Sequence, residues 1–401
     1  MPPTPTSPAT LLNPRREFLK SSAQFAAVSA LAGVTLPHVH AQGTDTIQVA
    51  LIGCGGRGSG AAAQALKADK GVILWAVADV FQDRMDACVA QFAKHPANDR
   101  VQVPAERRFS GFDGYKQAIA SGVDVVLLCS APHFRPMHLA EAVAAGKHIF
   151  CEKPMFVDAP GYRSVVESVK AAKAKNINLM SGFCWRRSAP EAATFAELEK
   201  GTLGVPMAYY GCYYTGPLGI KKREQGWSDM EFQVRNWQHF TWLSGDHIVE
   251  QHVHNIDVIN WAMGGHPIRC TAIGGRQART QPIYGAINDH FGIHFDYSDD
   301  RFGASMCRQQ DNTDGRVDEI VYGTEGTLIT SSGRAEIRGR NAWTFAGENP
   351  NPYVVEHIDL QEAVRGNAPY INEGKRSAES TMTAIMGRMA AYTGKDLAWD
   401  E

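Results

Sequence analysis

Three short stretches bring together residue types that could do chemistry. In Glu152-Lys153-Pro154 a lysine ends a strand-like run and is fixed by the next proline. A lysine held there can hydrogen-bond a substrate hydroxyl. Between Trp242 and Asp257 the chain reads WLSGDHIVEQHVHNID. One continuous helix would set Glu250, His254 and Asp257 at i, i+4 and i+7 on one face, with His247 and His252 on others. A carboxylate one turn from a histidine can fix its tautomer and raise its basicity, a general-base arrangement. The same spacings would suit metal ligands, but there is no His-Glu-x-x-His, and no metal is expected. The third stretch, IQVALIGCGGRGS (Ile47 to Ser59), runs an apolar strand into a glycine turn and a helix of small residues. Gly53 allows the tight turn, Gly55 lets a pyrophosphate approach, and Gly58 lets helix and strand pack closely. With Gly56 and Arg57 between them, the free N–H groups at the helix start would face phosphates. Asp79 follows about 20 residues later, at the end of the next strand, where a ribose-binding carboxylate belongs.

These residues need a scaffold that delivers strand ends to one crevice. From 46 to 183 strand-like and helical runs alternate, predicting a doubly wound parallel sheet with helices on both faces. Its ligand crevice lies at the carboxyl ends of the strands. Ser130, Pro132, His133 and Glu152 stand at such ends and join His138 and Lys153 in the predicted cofactor set. Helices are expected over Gln82 to Lys94 and His247 to Met263, with a polar loop up to Arg108 and an irregular aromatic loop from Gly216 to Trp237. From Ile268 to Arg338, runs of roughly 6–10 residues bounded by Gly, Asp and Asn predict a large open, mainly antiparallel sheet. The fold class is therefore α/β: an N-terminal Rossmann domain (46–183) and a C-terminal α/β domain (184–401).

The bulk composition excludes other classes. With 401 residues, 44% hydrophobic and 20% charged, two domains with real cores are expected. A formal net charge of -2 gives no case for nucleic acid or an anionic membrane surface. Eight cysteines without a CxxC pair make neither a disulfide framework nor a zinc site. No internal run is long and apolar enough to span a bilayer. Residues 1–41 read as a leader: Arg15-Arg16-Glu17-Phe18-Leu19-Lys20, an apolar run and a small-residue end at Ala41 resemble a twin-arginine signal. Export to the periplasm is expected, and a compartment without free nicotinamide nucleotides would demand a cofactor loaded beforehand and retained.

The glycine turn, Asp79, Glu-Lys-Pro, the strand end Gly182-Phe183 with Arg186-Arg187, and the helix with His254 resemble, in this order, the Gfo/Idh/MocA oxidoreductase family. The resemblance covers essentially the whole chain after the leader. It implies an NAD(P)-binding Rossmann domain and a second domain whose open sheet forms homo-oligomers. It implies contact of Lys153 with nicotinamide ribose and substrate, and places the family's acid–base pair on Glu250 and His254. Glu at 250 and His at 252 depart from the common pattern, so His252 could share the proton work. Arg186, Trp237, His252 and Asp257 are the expected substrate-side residues, and Trp227, Trp242, Tyr213 and Tyr214 suit stacking on a sugar ring. Asp79 favours NAD, and Arg57 keeps NADP open. The expected activity is oxidation of a ring hydroxyl of a sugar, polyol or glycoside. The alternatives are an NAD-dependent glycosidase working by oxidation, elimination and reduction, and a non-catalytic sugar- or nucleotide-binding protein.

Overall fold

The computed structural model describes residues 45–331 and 334–401; the predicted leader lies outside the described residues. The first apolar strand, β1 (Ile47–Ile52), enters α1 (Gly56–Ala68) through the glycine turn. The alternation continues as β2 (Val72–Asp79), α2 (Gln82–Gln91), β3 (Arg108–Ser110), α3 (Gly114–Ala120), β4 (Val125–Leu128), α4 (Arg135–Ala144), β5 (His148–Cys151), α5 (Ala159–Ala174) and β6 (Leu179–Ser181). Among the described residues these strands form one parallel sheet in the order β3-β2-β1-β4-β5-β6. Helices cover both faces, so central strands such as Val125–Leu128 are apolar at every position and fully buried. Strand β3 is a correction: the polar loop expected up to Arg108 ends in an edge strand paired to Val77–Asp79. Its three residues are too few to show a pattern.

The second half is a mixed, mainly antiparallel sheet. After α6 (Ala189–Glu199) and β7 (Pro206–Thr215) come four helical segments: α7 (Asp229–Arg235), α8 (Thr241–Ser244), α9 (His247–Glu250) and α10 (Val253–Met263). Strands β8 (Arg269–Gly275), β9 (His290–Asp296), β10 (Phe302–Gln309), β11 (Arg316–Gly323), β12 (Gly326–Ser331), β13 (Arg334–Gly339) and β14 (Trp343–Thr344) follow. Then come α11 (Pro352–Arg365), α12 (Gly374–Thr393) and β15 (Leu397–Ala398). The sheet order is β14-β13-β12-β11-β7-β10-β9-β8-β15, with β7 and β10 parallel and the other pairs antiparallel.

Residues 46–401 form one compact unit. Helices α10 and α12 line the inner face of the large sheet and share a buried cluster with β5 and β6, joining Ile256, Phe295 and Ile385 to Cys151 and Leu179. Helix α11 returns to the other face of the parallel sheet, where Leu360 and Val364 join Ile47, Leu51 and Phe150. The C-terminal segment thus clasps the dinucleotide-binding half, a return the composition of 352–365 does not advertise.

Two further expectations are corrected. The loop from Gly216 to Trp237 holds a helix, α7, started by Ser228, whose hydroxyl accepts from Glu231 N. The helix expected over His247 to Met263 is broken at Gln251-His252. His252 is wholly buried and tied at both ring nitrogens, to Asn255 Oδ1 (3.2 Å) and Ser305 Oγ (2.6 Å). That anchorage resets the chain between α9 and α10.

Candidate active site

The glycine turn has the geometry its sequence requires. Gly53 has φ +98°, and a Cβ there would lie 2.4 Å from Ser130 N. A Cβ on Gly58 would lie 1.8 Å from the Gly53 carbonyl oxygen. At Gly55 a Cβ would approach only an Arg84 guanidinium nitrogen, at 3.4 Å, so this face stays open to a ligand. Asp79 braces the turn from β2, its carboxylate accepting from Cys54 N (2.7 Å) and Phe81 N (3.0 Å). Burial raises the Asp79 pKa, against the lowering effect of those two bonds. A cleft open to solvent runs from Gly53 and Asp79 past Tyr115, Ser130 and His138 to Trp237. His138, its ring tilted against Tyr115 at 4.2 Å and its Nδ1 3.0 Å from Ser130 Oγ, is pushed down to about 3 by burial and is neutral. An apolar-walled cleft at strand ends, with open backbone at a helix start and a carboxylate on its rim, fits a dinucleotide.

Several expected cofactor residues stand behind this wall. Arg57 turns away from Asp79: its Nε lies 2.9 Å from Glu152 Oε1 and its guanidinium covers the Tyr353 ring at 4.8 Å. Glu152 is buried and also accepts from Lys153 N (3.0 Å). The pair brackets the turn from the rear, so Arg57 is not placed to receive a ribose phosphate beside Asp79. Pro132 is buried at the start of a short turn, Pro132–Phe134, and His133 stands edge-on to Trp242 at 4.9 Å. Phe81, Arg84 and Tyr115 also line the cleft, and the sequence reading passed over them. Phe81 and Arg84 follow the recognised Asp79 closely, which is the one signal that could have found them.

Lys153, Glu250 and His254 do converge, although not as predicted. The Lys153 ammonium donates to the Glu250 carbonyl and lies 3.5 Å from its carboxylate. The break between α9 and α10 turns Glu250 toward the lysine, and no hydrogen bond joins Glu250 to His254. The expected carboxylate–histidine pair is therefore replaced by a carboxylate–lysine pair beside a histidine. His254 stacks on Trp185 at 4.8 Å and meets the edge of Phe183 at 5.9 Å, and its Nδ1 is buried without a partner. Burial, and then the Lys153 charge, hold its pKa well below the usual histidine value. The ring is a neutral imidazole, able to accept a proton.

The expected substrate residues are mostly engaged elsewhere. Arg186 and Asp257 form a buried two-point ion pair (2.7 and 3.0 Å), with Ser380 Oγ donating to Asp257 at 2.7 Å. The pair engages Arg186 Nε and Nη2 and both Asp257 oxygens, which ties α10 to the segment after β6. His252, already described, is tied into the core and pushed down to about 3 by burial. Trp237 lines the cleft that begins at the glycine turn. The aromatic loop likewise grips the dinucleotide half: Arg235 pairs with Asp83 at 3.0 Å and lies between Phe81 and Trp227. Tyr213 faces inward, 6.1 Å from the His247 ring, while Tyr214 points out toward Arg308. Adjacent strand residues cannot share a face. Among the described residues no group of three or more His, Cys, Asp or Glu side chains is placed to hold a metal ion, and every cysteine is free.

A dinucleotide cleft at the strand ends of a parallel sheet, with a lysine, a carboxylate and a neutral histidine gathered just past the end of β5, defines a class, the two-domain Rossmann oxidoreductases. The sequence then fixes the family. Residues 47–183 match its profile, described as "Oxidoreductase family, NAD-binding Rossmann fold", and residues 218–329 match its C-terminal domain, so the chain belongs to the Gfo/Idh/MocA family. An inositol 2-dehydrogenase of Ralstonia nicotianae is 24% identical over 234 residues, 58% of this chain and 59% of that protein. A 2,7-anhydro-N-acetylneuraminate hydratase of Escherichia coli K12 is 25% identical over 206 residues, 51% of each. The chain spans about half the length of the curated relatives it matches. Among solved structures, aldose-aldose oxidoreductase from Caulobacter crescentus superposes with a TM-score of 0.70 at 16% identity, covering 88% of this chain and 99% of that one. Levoglucosan dehydrogenase with NADH and levoglucosan gives 0.70 at 15%, covering 89% and 100%. At such identities the likeness is one of fold.

Proposed function

We propose that the protein oxidises a ring hydroxyl of a sugar, polyol or glycoside. The observation that carries this reading is the meeting of Lys153, Glu250 and a neutral, buried His254 just past the end of β5, the same end of the parallel sheet as the glycine turn. When bound, a nicotinamide dinucleotide supplies the hydride acceptor. The open backbone at Gly55, Asp79 and the cleft past Ser130 and His138 would hold it. Lys153 spends its donors on Glu250 and a substrate hydroxyl, fixing that oxygen. His254 takes the hydroxyl proton, and Trp185 and Phe183 keep its ring in place and water away. NAD is the proposed form, since the Asp79 carboxylate repels a second phosphate and Arg57 is turned away.

We further infer export through the twin-arginine leader, a retained nucleotide, and oligomers formed through the outer face of the large sheet. That face leaves Ile273, Phe302, Met306 and Tyr322 exposed. Ile273→Lys with Met306→Glu should then reduce the assembled mass in sedimentation, and an unchanged mass removes the oligomer proposal. The hydratase among the relatives favours a second reading, in which oxidation is transient and the sugar is reduced again. Absorbance at 340 nm separates the two: net oxidation leaves reduced nucleotide, whereas the cyclic route turns over glycoside without it. Protein purified without added nucleotide should release NAD(H) on denaturation. A panel of sugars and glycosides should yield turnover that Lys153→Ala and His254→Ala abolish. Normal turnover in both variants would overturn the assignment.

A further inference from the structure

The side chain of Arg279 is buried, and none of its nitrogens Nε, Nη1 and Nη2 has a hydrogen-bond partner among the described residues. Its backbone is pinned by a loop in which Gln277, Ala278 and Arg279 N–H groups all donate to Asp289 Oδ2, at 2.8, 2.6 and 2.8 Å. Among the described residues, three carboxylates act on the guanidinium, those of Asp289, Asp246 and Asp311, yet none accepts a hydrogen bond from it, and the first two are held by other donors. Asp289 Oδ1 receives His290 Nδ1 (2.7 Å) and Gln310 Nε2 (3.3 Å). Asp246 receives His247 N (2.8 Å) and the Tyr392 hydroxyl (2.6 Å). The Tyr284 ring, 5.8 Å away, is the only face it covers among the described aromatic rings. A buried guanidinium without an anion is costly, and its planar fork matches a carboxylate in two-point contact.

Two more buried atoms near it are also unpartnered: His247 Nε2 and His239 Nδ1. His247 Nδ1 lies 3.1 Å from Gln251 Oε1, and His239 Nε2 lies 3.2 Å from the Gly219 carbonyl oxygen. In each ring the bonded nitrogen must carry the proton, which leaves the free one as an acceptor. Burial, with the Arg279 charge adding to it, keeps both rings neutral. His247 opens α9 and Glu250 closes it, with Tyr213 beside both. The loops after β7, β8 and β10 leave the same end of the sheet, since Thr215 pairs with Gln309 and Gly275 with His290. Arg279 therefore lies in a loop at the end of the sheet where Tyr213 stands beside His247 and Glu250.

We propose that Arg279, His247 and His239 form a subsite for a carboxylate-bearing sugar, with the guanidinium taking the carboxylate and the histidines accepting from ring hydroxyls. This rests on the reading of the crevice as a sugar-oxidising site. With the Asp289, Asp246 and Asp311 carboxylates also acting on the guanidinium, a monoanionic carboxylate is tolerated better there than a dianionic phosphate ester.

The test is calorimetry on the purified, nucleotide-containing protein with a panel of hexuronates and aldonates, their neutral parent sugars, and glucose 6-phosphate. At least one sugar acid should bind tighter than its neutral parent by about tenfold or more. Arg279→Met should erase that gap with nucleotide content unchanged, and Arg279→Lys should restore part of it; if the Met variant does not fold, the Lys variant alone must narrow the gap. Equal binding of acid and parent, a gap untouched by substitution, or a preference for the phosphate ester overturns the subsite. A neutral sugar that reduces the bound nucleotide, with no preference for its acid, removes this inference and leaves the oxidoreductase reading standing. Sugar-acid binding without any redox change does the opposite.

Discussion

The two walls of the crevice are specified by different parts of the chain. On the dinucleotide side the decisive atoms are backbone: Gly53 and Gly58 remove side chains that would collide with the main chain, and Asp79 holds the turn by accepting two N–H groups. On the sheet side the proposed site is made of side chains from distant segments, Lys153 from a strand end, Glu250 and His254 from two helices and, in the proposed subsite, Arg279 from a loop. A site made of backbone tolerates almost no change at a few glycines and much change elsewhere. A site made of buried polar side chains depends on every partner being present, because each orphaned group keeps its desolvation cost.

That contrast can be broken first at the sheet wall. His254→Ala should lower turnover by about 10²–10⁴-fold while the bound nucleotide and the melting temperature stay near wild type. Loss of nucleotide in this variant would mean that the two walls are not separable. The matching test at the other wall is Gly58→Ala. Its Cβ would need the Gly53 carbonyl, 1.8 Å away, to move, so the expected cost is about 4 kcal/mol with loss of bound nucleotide. Gly60→Ala, two residues along the same helix with nothing within 4 Å, should instead stabilise by about 0.8 kcal/mol. Thermal melts with nucleotide quantified after denaturation read both; equal effects at 58 and 60 would sink the backbone argument.

The same contrast decides what the sequence could reveal. The glycine turn, Asp79 and the alternating elements around them are local patterns, and the parallel sheet and its crevice follow from them. Lys153 was legible because it follows a strand end, and His254 because of its spacing from Glu250 and the family resemblance. Their partners were not. Nothing in the spacing shows that His252 is anchored in the core and so breaks the helix, sending Glu250 to Lys153 and not to His254. Nor does it show that Arg186 and Asp257 consume each other. Arg279 carries no local pattern, and only the saturation of Asp289 and Asp246 by other donors exposes it. Period-two alternation would have separated Tyr213 from Tyr214, a signal present in the sequence and not applied.

The ion pair sharpens the comparison next. Asp257→Asn leaves the Arg186 guanidinium buried beneath Trp261 with a neutral partner, at an expected cost of about 3 kcal/mol in urea unfolding. If the pair only locks α10, turnover per folded molecule should persist and KM should move little. A rise in KM at unchanged stability would return these residues to the substrate side.

The smallest effect lies deepest, in the polar chain behind α10. Glu319 on β11 is buried, accepts from Asn255 Nδ2 (2.6 Å) and Thr330 Oγ1 (2.8 Å), and connects through Asn255 to His252 and Ser305. Burial pushes its pKa from 4.5 up to about 8, the two hydrogen bonds opposing the rise. Between those values the folded protein keeps a proton that the unfolded chain has released, so stability falls as pH rises through the window and levels off above it. The buried histidines at 138, 247, 252 and 357, pushed down to about 3, act in the other direction. For them the unfolded chain holds the extra protons, so stability rises with pH from about 3 to the ordinary histidine value near 6.5. Glu319→Gln keeps the shape and removes only the first of these slopes. Variant and wild type should therefore melt together at pH 5, and the variant should melt a few degrees higher at pH 8. A difference that grows toward acid would show Glu319 ionised in the folded protein, and the chain behind α10 would then be a charged strut instead of a neutral one.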